Sequence, residues 1–177
     1  MGCDIHVHIE HRDADSKYAN DWKSFAFDGV YFSRSYELFA LMANVRNSSG
    51  WDRDSIEPVL YPKGIPNDLS WATECSYFLG VDSKRVDHKS VSLESAQNWV
   101  DNGLSVIKSE ESRKEVKEGD RVSCPDWHNA SWMTLDELRE VNKRYKYVHL
   151  ELRATIAAMA SLKRSGQDVR VVFYFDN

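Results

Sequence analysis

Asp4, His6, His8 and Glu10 stand at alternate positions near the start of the chain, in Met1-Gly2-Cys3-Asp4-Ile5-His6-Val7-His8-Ile9-Glu10. A strand repeats its side-chain direction every two residues, so these four share one face and Cys3, Ile5, Val7 and Ile9 share the other. The apolar set is a normal core stripe. The polar set is unlike a solvent face, which favours Lys, Thr, Glu or Ser. Imidazole and carboxylate at this spacing can converge on one divalent cation, because Zn²⁺, Mn²⁺ and Fe²⁺ accept those nitrogen and oxygen donors. The plainer alternative is a polar edge strand with two incidental histidines.

His128 is the strongest candidate outside this strand, in Cys124-Pro125-Asp126-Trp127-His128-Asn129-Ala130-Ser131-Trp132. Read as a loop leading into a capped helix at Thr134, this segment sets the imidazole near a helix N-terminus. The partial positive charge there favours the neutral ring that metal ligation or general-base work needs. The alternative is a histidine packed between Trp127 and Trp132. His88 lies among Arg85, Asp87 and Lys89 and reads as solvated, while His11 and His149 are weaker candidates. Arg34 and Arg46 bracket a predicted helix, and Lys63 sits beside Gly64; guanidinium forks match phosphate or carboxylate bidentately. The expected roles are ligation by Asp4, His6 and His128, with Asp176 as a possible addition. Glu10 is expected to activate water as general base and His128 to share in catalysis, with Arg34 or Arg46 holding an anion. Trp51, Tyr61, Trp71, Trp127 and Trp132 add aromatic faces near Arg46, Arg53 and Lys63, a combination that can stack a base while a cation holds its phosphate. No P-loop, GxGxxG, GxSxG or HExxH occurs.

These residues need elements to position them. Residues 3–11 read as a strand, and the aromatic stretch from Trp22 to Phe32 as a short strand or core-lying loop. Helical spacing of Tyr36, Leu38, Phe39, Leu41, Met42 and Val45 predicts a helix over 35–46 with Ser33 or Ser35 as cap. Residues 50–69, with Pro58, Pro62 and Pro66, predict a long ordered loop. A helix is expected from Ser70 to Leu79, closed by Gly80, and a short one from Ser92 to Asn102-Gly103. Lys108 to Asp120 is a charge run, read as a solvated helix or hairpin tip. Thr134-Leu135-Asp136-Glu137 is a capping box opening a helix over 134–146. Residues 148–164 form the clearest helix, with Lys163, Arg164 and Gly166 at its end as dipole and capping rules prefer. Val169 to Phe175 is a final apolar strand.

Bulk composition bounds the rest. The chain has 177 residues, 42% hydrophobic and 12% aromatic, enough to bury one sizeable core, so a single domain over 1–177 is expected. A net charge of −5 with interspersed signs gives no basic footprint, which argues against long nucleic acid as a partner. Cys3, Cys75 and Cys124 are an odd, scattered set without a CxxC pair, which fits a reducing cytoplasm. No apolar run reaches the length of a membrane span. The expected architecture is α+β: one sheet holds the N- and C-terminal strands side by side, and helices pack mainly on one face, because both strands carry an apolar face that needs cover.

Several segments together resemble a family of small proteins from phages, prophages and bacteria. They are Met1-Gly2-Cys3-Asp4-Ile5-His6 with Glu10, Tyr36-Glu37-Leu38-Phe39-Ala40-Leu41-Met42-Ala43-Asn44-Val45-Arg46, Gly64-Ile65-Pro66-Asn67-Asp68, Ser131-Trp132-Met133-Thr134-Leu135-Asp136-Glu137-Leu138, and Asp168-Val169-Arg170-Val171-Val172-Phe173-Tyr174-Phe175-Asp176-Asn177. The resemblance covers most of the chain and implies no particular reaction. Asp4, His6, Glu10, Arg46 and Asp176 fall within these segments, His128 falls in the stretch that leads into the Ser131 segment, and His8 falls at a looser position. A phage setting would imply action on host defence, for example on a nucleotide signal or a host defence protein. The combined expectation is a metal-dependent hydrolase (Zn²⁺, Mn²⁺ or Fe²⁺) acting on a phosphorylated or nucleotide-like small molecule. The alternative is a non-enzymatic binder that sequesters such a molecule or contacts a host protein.

Overall fold

The structure, a computed structural model, describes residues 2–18, 21–26, 28–48, 54–84, 90–108 and 113–176. The chain divides into two compact units, residues 1–73 with 127–177 and residues 74–126.

The first unit is built on its two end strands. β1 (Asp4–Asp13) and β8 (Gln167–Asp176) pair antiparallel along their whole length, from Asp4 opposite Asp176 to Asp13 opposite Gln167. β7 (Trp127–Thr134) pairs with the other edge of β8, and the short β2 (Lys23–Ser24) and β3 (Val30–Phe32) pair with β1, giving the order β2-β1-β8-β7 with β3 also on β1. The alternation expected of the first strand is observed. Ile5, Val7 and Ile9 face a core that also holds Val171, Phe173 and Phe175. Three helices cover that face: α1 (Tyr36–Ala43), α4 (Leu135–Arg144) and α5 (Leu150–Arg164), through Leu38, Phe39, Met42, Leu138, Val141, Leu152 and Met159. The α+β architecture and adjacent terminal strands are as expected.

Local chemistry accounts for the helix ends. The Ser35 hydroxyl accepts the Leu38 N–H, and Asn44 at φ 57° closes α1 in the left-handed region, short of the expected end at residue 46. Thr134 and Glu137 form the reciprocal capping box at α4. His149 caps α5, its Nδ1 accepting the Leu152 N–H at 3.2 Å. The segment at 127–134 departs from the expected loop: it is strand β7, carrying a bulge between His128 and Ser131 with Asn129 at φ 51°. The extra residue breaks the alternation Trp-His-Asn-Ala-Ser-Trp, which hides the strand from a period-two reading.

The second unit carries a three-stranded sheet of β4 (Phe78–Val81), β5 (Ser90–Val91) and β6 (Arg121–Ser123) in the order β5-β4-β6, with α3 (Leu93–Asp101) capped by Ser92. Its core is Val81, Val91, Ala96, Ile107, Val116 and Val122. α2 (Trp71–Tyr77), the helix that crosses the boundary, stops before the expected Gly80, because Phe78-Leu79-Gly80-Val81 pairs with both neighbours as β4. Among the described residues the charge run 108–120 holds no helix.

Candidate active site at the paired chain ends

The second face of the sheet places most of the expected site residues. Directly opposed residues of antiparallel neighbours point the same way, so the register fixes two rows. Tyr31, His6 and Tyr174 form one row across β3, β1 and β8; Asp4, Asp176 and Trp127 form the next across β1, β8 and β7. His6 Nε2 lies 2.8 Å from Asp176 Oδ2, and their side chains are 42% and 36% exposed, so solvent and ligand can reach both. The imidazole stacks on Tyr174 at 4.6 Å between centroids with 9° between planes. Tyr174 also packs against Trp127, centroids 6.2 Å apart. A carboxylate accepts only, so the Nε2–H is the donor, Asp176 fixes the ring, and in the neutral imidazole the lone pair is then on Nδ1.

Arg34 forks onto Asp4, Nε to Oδ1 at 2.7 Å and Nη2 to Oδ2 at 2.6 Å. That fork holds the Asp4 carboxyl below its usual range and pushes the Arg34 guanidinium pKa upward. Gly2 lies so close that a Cβ there would sit 2.2 Å from Arg34 Nη1. Arg46, at φ 53°, reaches the same end of the sheet and hydrogen-bonds the buried Cys3 thiol. Burial pushes that thiol upward and the Arg46 bond only partly offsets the rise, so Cys3 is not a ready nucleophile. Asp4, His6, Asp176 and Arg34 thus gather on one face where β1 and β8 end, while Arg46 is tied to Cys3, whose side chain lies in the core on the other face.

Glu10 and His128 do not join them. Glu10 is fully buried, with Oε1 accepting the Ser70 N–H at 2.8 Å and Oε2 accepting Arg170 Nε at 2.8 Å and Nη2 at 2.7 Å. Arg170 also binds the Asp68 carboxylate and carbonyl at 2.8 and 2.9 Å, and Trp22 Nε1 donates to Asp68 at 2.8 Å. With both oxygens held and no exposure, Glu10 has no room for a water to activate; its part is structural. His128 pairs with Phe175, at a register position on the core face opposite to His6. Its ring lies 6.0 Å from Phe175, and Nδ1 is 2.6 Å from Asn129 Oδ1. Six strand positions separate it from the Thr134 cap, roughly 20 Å of extended chain, so the helix dipole does not act on it.

The donor set falls short of the expected metal site. Among the described residues no three His, Cys, Asp or Glu side chains gather where they could hold a metal ion. Both Asp4 oxygens are committed to Arg34, which leaves His6 and Asp176. His8 shares the site's face but is buried, and burial outweighs the nearby Glu10 charge in lowering its pKa to about 4. Of the aromatic candidates, Trp127 belongs to this site through its register with Asp176 and its contact with Tyr174, and Tyr61 and Trp71 are 60% and 68% exposed. His88, Trp51 and Arg53 lie outside the described residues. Tyr31 and Tyr174 had no signal of their own in the sequence; the strand register alone brings them beside His6. Comparison with known protein families, curated proteins and solved structures gives no match to this chain.

Proposed function

We propose that the paired chain ends form the site of a hydrolase acting on a phosphorylated, nucleotide-like small molecule. The observation that carries this reading is the exposed His6–Asp176 pair set beside the Arg34–Asp4 fork and an aromatic row. In this reading His6 takes a proton from the attacking water at Nδ1, and Asp176 holds the ring and stabilises the imidazolium that forms. Arg34 binds phosphate oxygens, and Tyr31, Tyr174 and Trp127 offer faces for a base or sugar. A divalent Zn²⁺, Mn²⁺ or Fe²⁺ would have His6 and Asp176 as protein donors and would lower the pKa of a bound water. No step above depends on it.

Purified protein should be incubated with cyclic and linear nucleotides, with and without these metals, and product formation followed. His6→Ala is expected to lower turnover by about 10²- to 10⁴-fold, the range of a general base. Arg34→Ala should chiefly raise KM. Binding of intact nucleotide with no turnover would replace the hydrolase with the sequestering binder, and neither binding nor turnover would overturn the reading altogether.

A further inference from the structure

At the far end of the same sheet face lies a pocket of about 770 Å³, within the size range of small-molecule sites. Its apolar walls are Trp22, Trp132, Pro66, Leu135 and Val169, and its cations are Arg12, Arg139, Lys163 and Arg170. Six strand residues separate Arg12 from His6, roughly 20 Å, so the pocket is distinct from the chain-end site. Its three carboxylates are not equivalent. Asp68 is held by Arg170 and Trp22, and Asp136 pairs with Arg139 at 2.8 Å. Asp168 alone faces two cations, Arg12 at 3.4 Å and Lys163 at 3.5 Å, both longer than the usual charge-assisted bond of about 2.8 Å. One carboxylate shared between two loosely held cations makes that wall the positive side of the pocket, while across it one guanidinium, Arg170, meets both Glu10 and Asp68. Beside it stands Trp22, with Arg12 and Arg170 at 4.7 and 4.0 Å from its ring. Trp132, with Lys63 at 3.9 Å, brings a second indole.

We propose that this pocket binds a small organic phosphate bearing a flat ring, of the nucleoside monophosphate class, with the phosphate at Arg12 and Lys163 and the ring against Trp22 or Trp132. A phosphate dianion offers more charge and more acceptor oxygens than Asp168 and displaces it from the two cations. The inference stands independently of the hydrolase reading, because it rests on other residues.

The test is titration of the full chain with AMP, GMP, CMP and UMP, with inorganic phosphate and unphosphorylated nucleosides as separate arms. Calorimetry gives the affinity, and the indole N–H resonances of Trp22 and Trp132 report the location. Monophosphates are expected to bind more tightly than either part alone and to shift at least one of the two resonances. Lys163→Ala and Arg12→Gln should each weaken binding about tenfold, the loss of one charge-assisted contact. Asp168→Asn should instead tighten it several-fold by releasing both cations, an effect of opposite sign that misfolding cannot mimic. Unmoved indole resonances at millimolar ligand would overturn the proposal. So would weaker binding in Asp168→Asn, or full affinity in Lys163→Ala with Arg12→Gln.

Discussion

Glu10 has the residue type and the strand position of a catalytic carboxylate, yet its neighbours turn it into a fastener. It sits opposite Arg170 across β1 and β8, and the pair, at 2.7 Å, is withdrawn from water almost completely. A buried pair of this kind repays its desolvation only while all its hydrogen bonds are made, and these also pin Ser70 and Asp68 onto the sheet. Removing one partner leaves the other charge buried and uncompensated. Arg170→Ala is therefore expected to lower stability by about 3–5 kcal/mol, against a smaller loss in the paired replacement Glu10→Leu with Arg170→Met. Denaturant unfolding of the three proteins, read at the midpoint with unchanged slope, checks the ordering. A loss below 1 kcal/mol in Arg170→Ala would show that the pair contributes little.

The elements explain why the polar face is only partly open. Over its middle the chain returns close to β1: at Gly29, φ 73°, an added Cβ would lie 2.7 Å from the Val7 carbonyl and 3.0 Å from the His8 ring. Neither the backbone oxygen nor the left-handed geometry can yield cheaply. Gly29→Ala should accordingly cost roughly 1–3 kcal/mol, and melting temperatures of the two proteins would reveal an error if they coincide. Gly64, at φ 82° but in open space, makes a useful contrast. The same level shows what was legible in the sequence. Period two exposed β1, a short apolar run exposed β8, and helical spacing with capping chemistry exposed α1, α4 and α5, because these signals are local. The bulge in β7 and the brief β4 after α2 obscured their strands, and with β7 went the position of His128. Asp4, His6 and Asp176 could be grouped in advance because two strands with apolar faces tend to neighbour each other. Trp22, Asp68 and Arg170 could not, since only the register and a long returning loop bring them together.

Across the whole molecule, charge and burial combine into a response to acid that has two stages. His8 is buried, and its pKa falls from 6.5 to about 4, chiefly by desolvation. The unfolded chain therefore takes up a proton between those values that the folded chain refuses, so stability falls as pH drops through that window. The loss approaches roughly 3 kcal/mol once pH is below both values, at 1.36 kcal/mol per pKa unit. Asp4, Asp68 and Glu137 act lower on the scale. Arg34 draws Asp4 down; for Asp68 and Glu137 burial pulls upward but is outweighed by bonds from Arg170 and Trp22 and from Lys63 and Thr134. Their contribution is complete above their unfolded values of 3.8 and 4.5 and is lost as pH falls further. Thermal melts from pH 7.5 to 3 should then show a first decline between about 6.5 and 4 and a second, steeper one below it. His8→Gln carries no titrating ring and should flatten the first decline while leaving the second in place. If the variant and the parent decline in parallel between pH 6.5 and 4, His8 is not the group that couples folding to protons in that range.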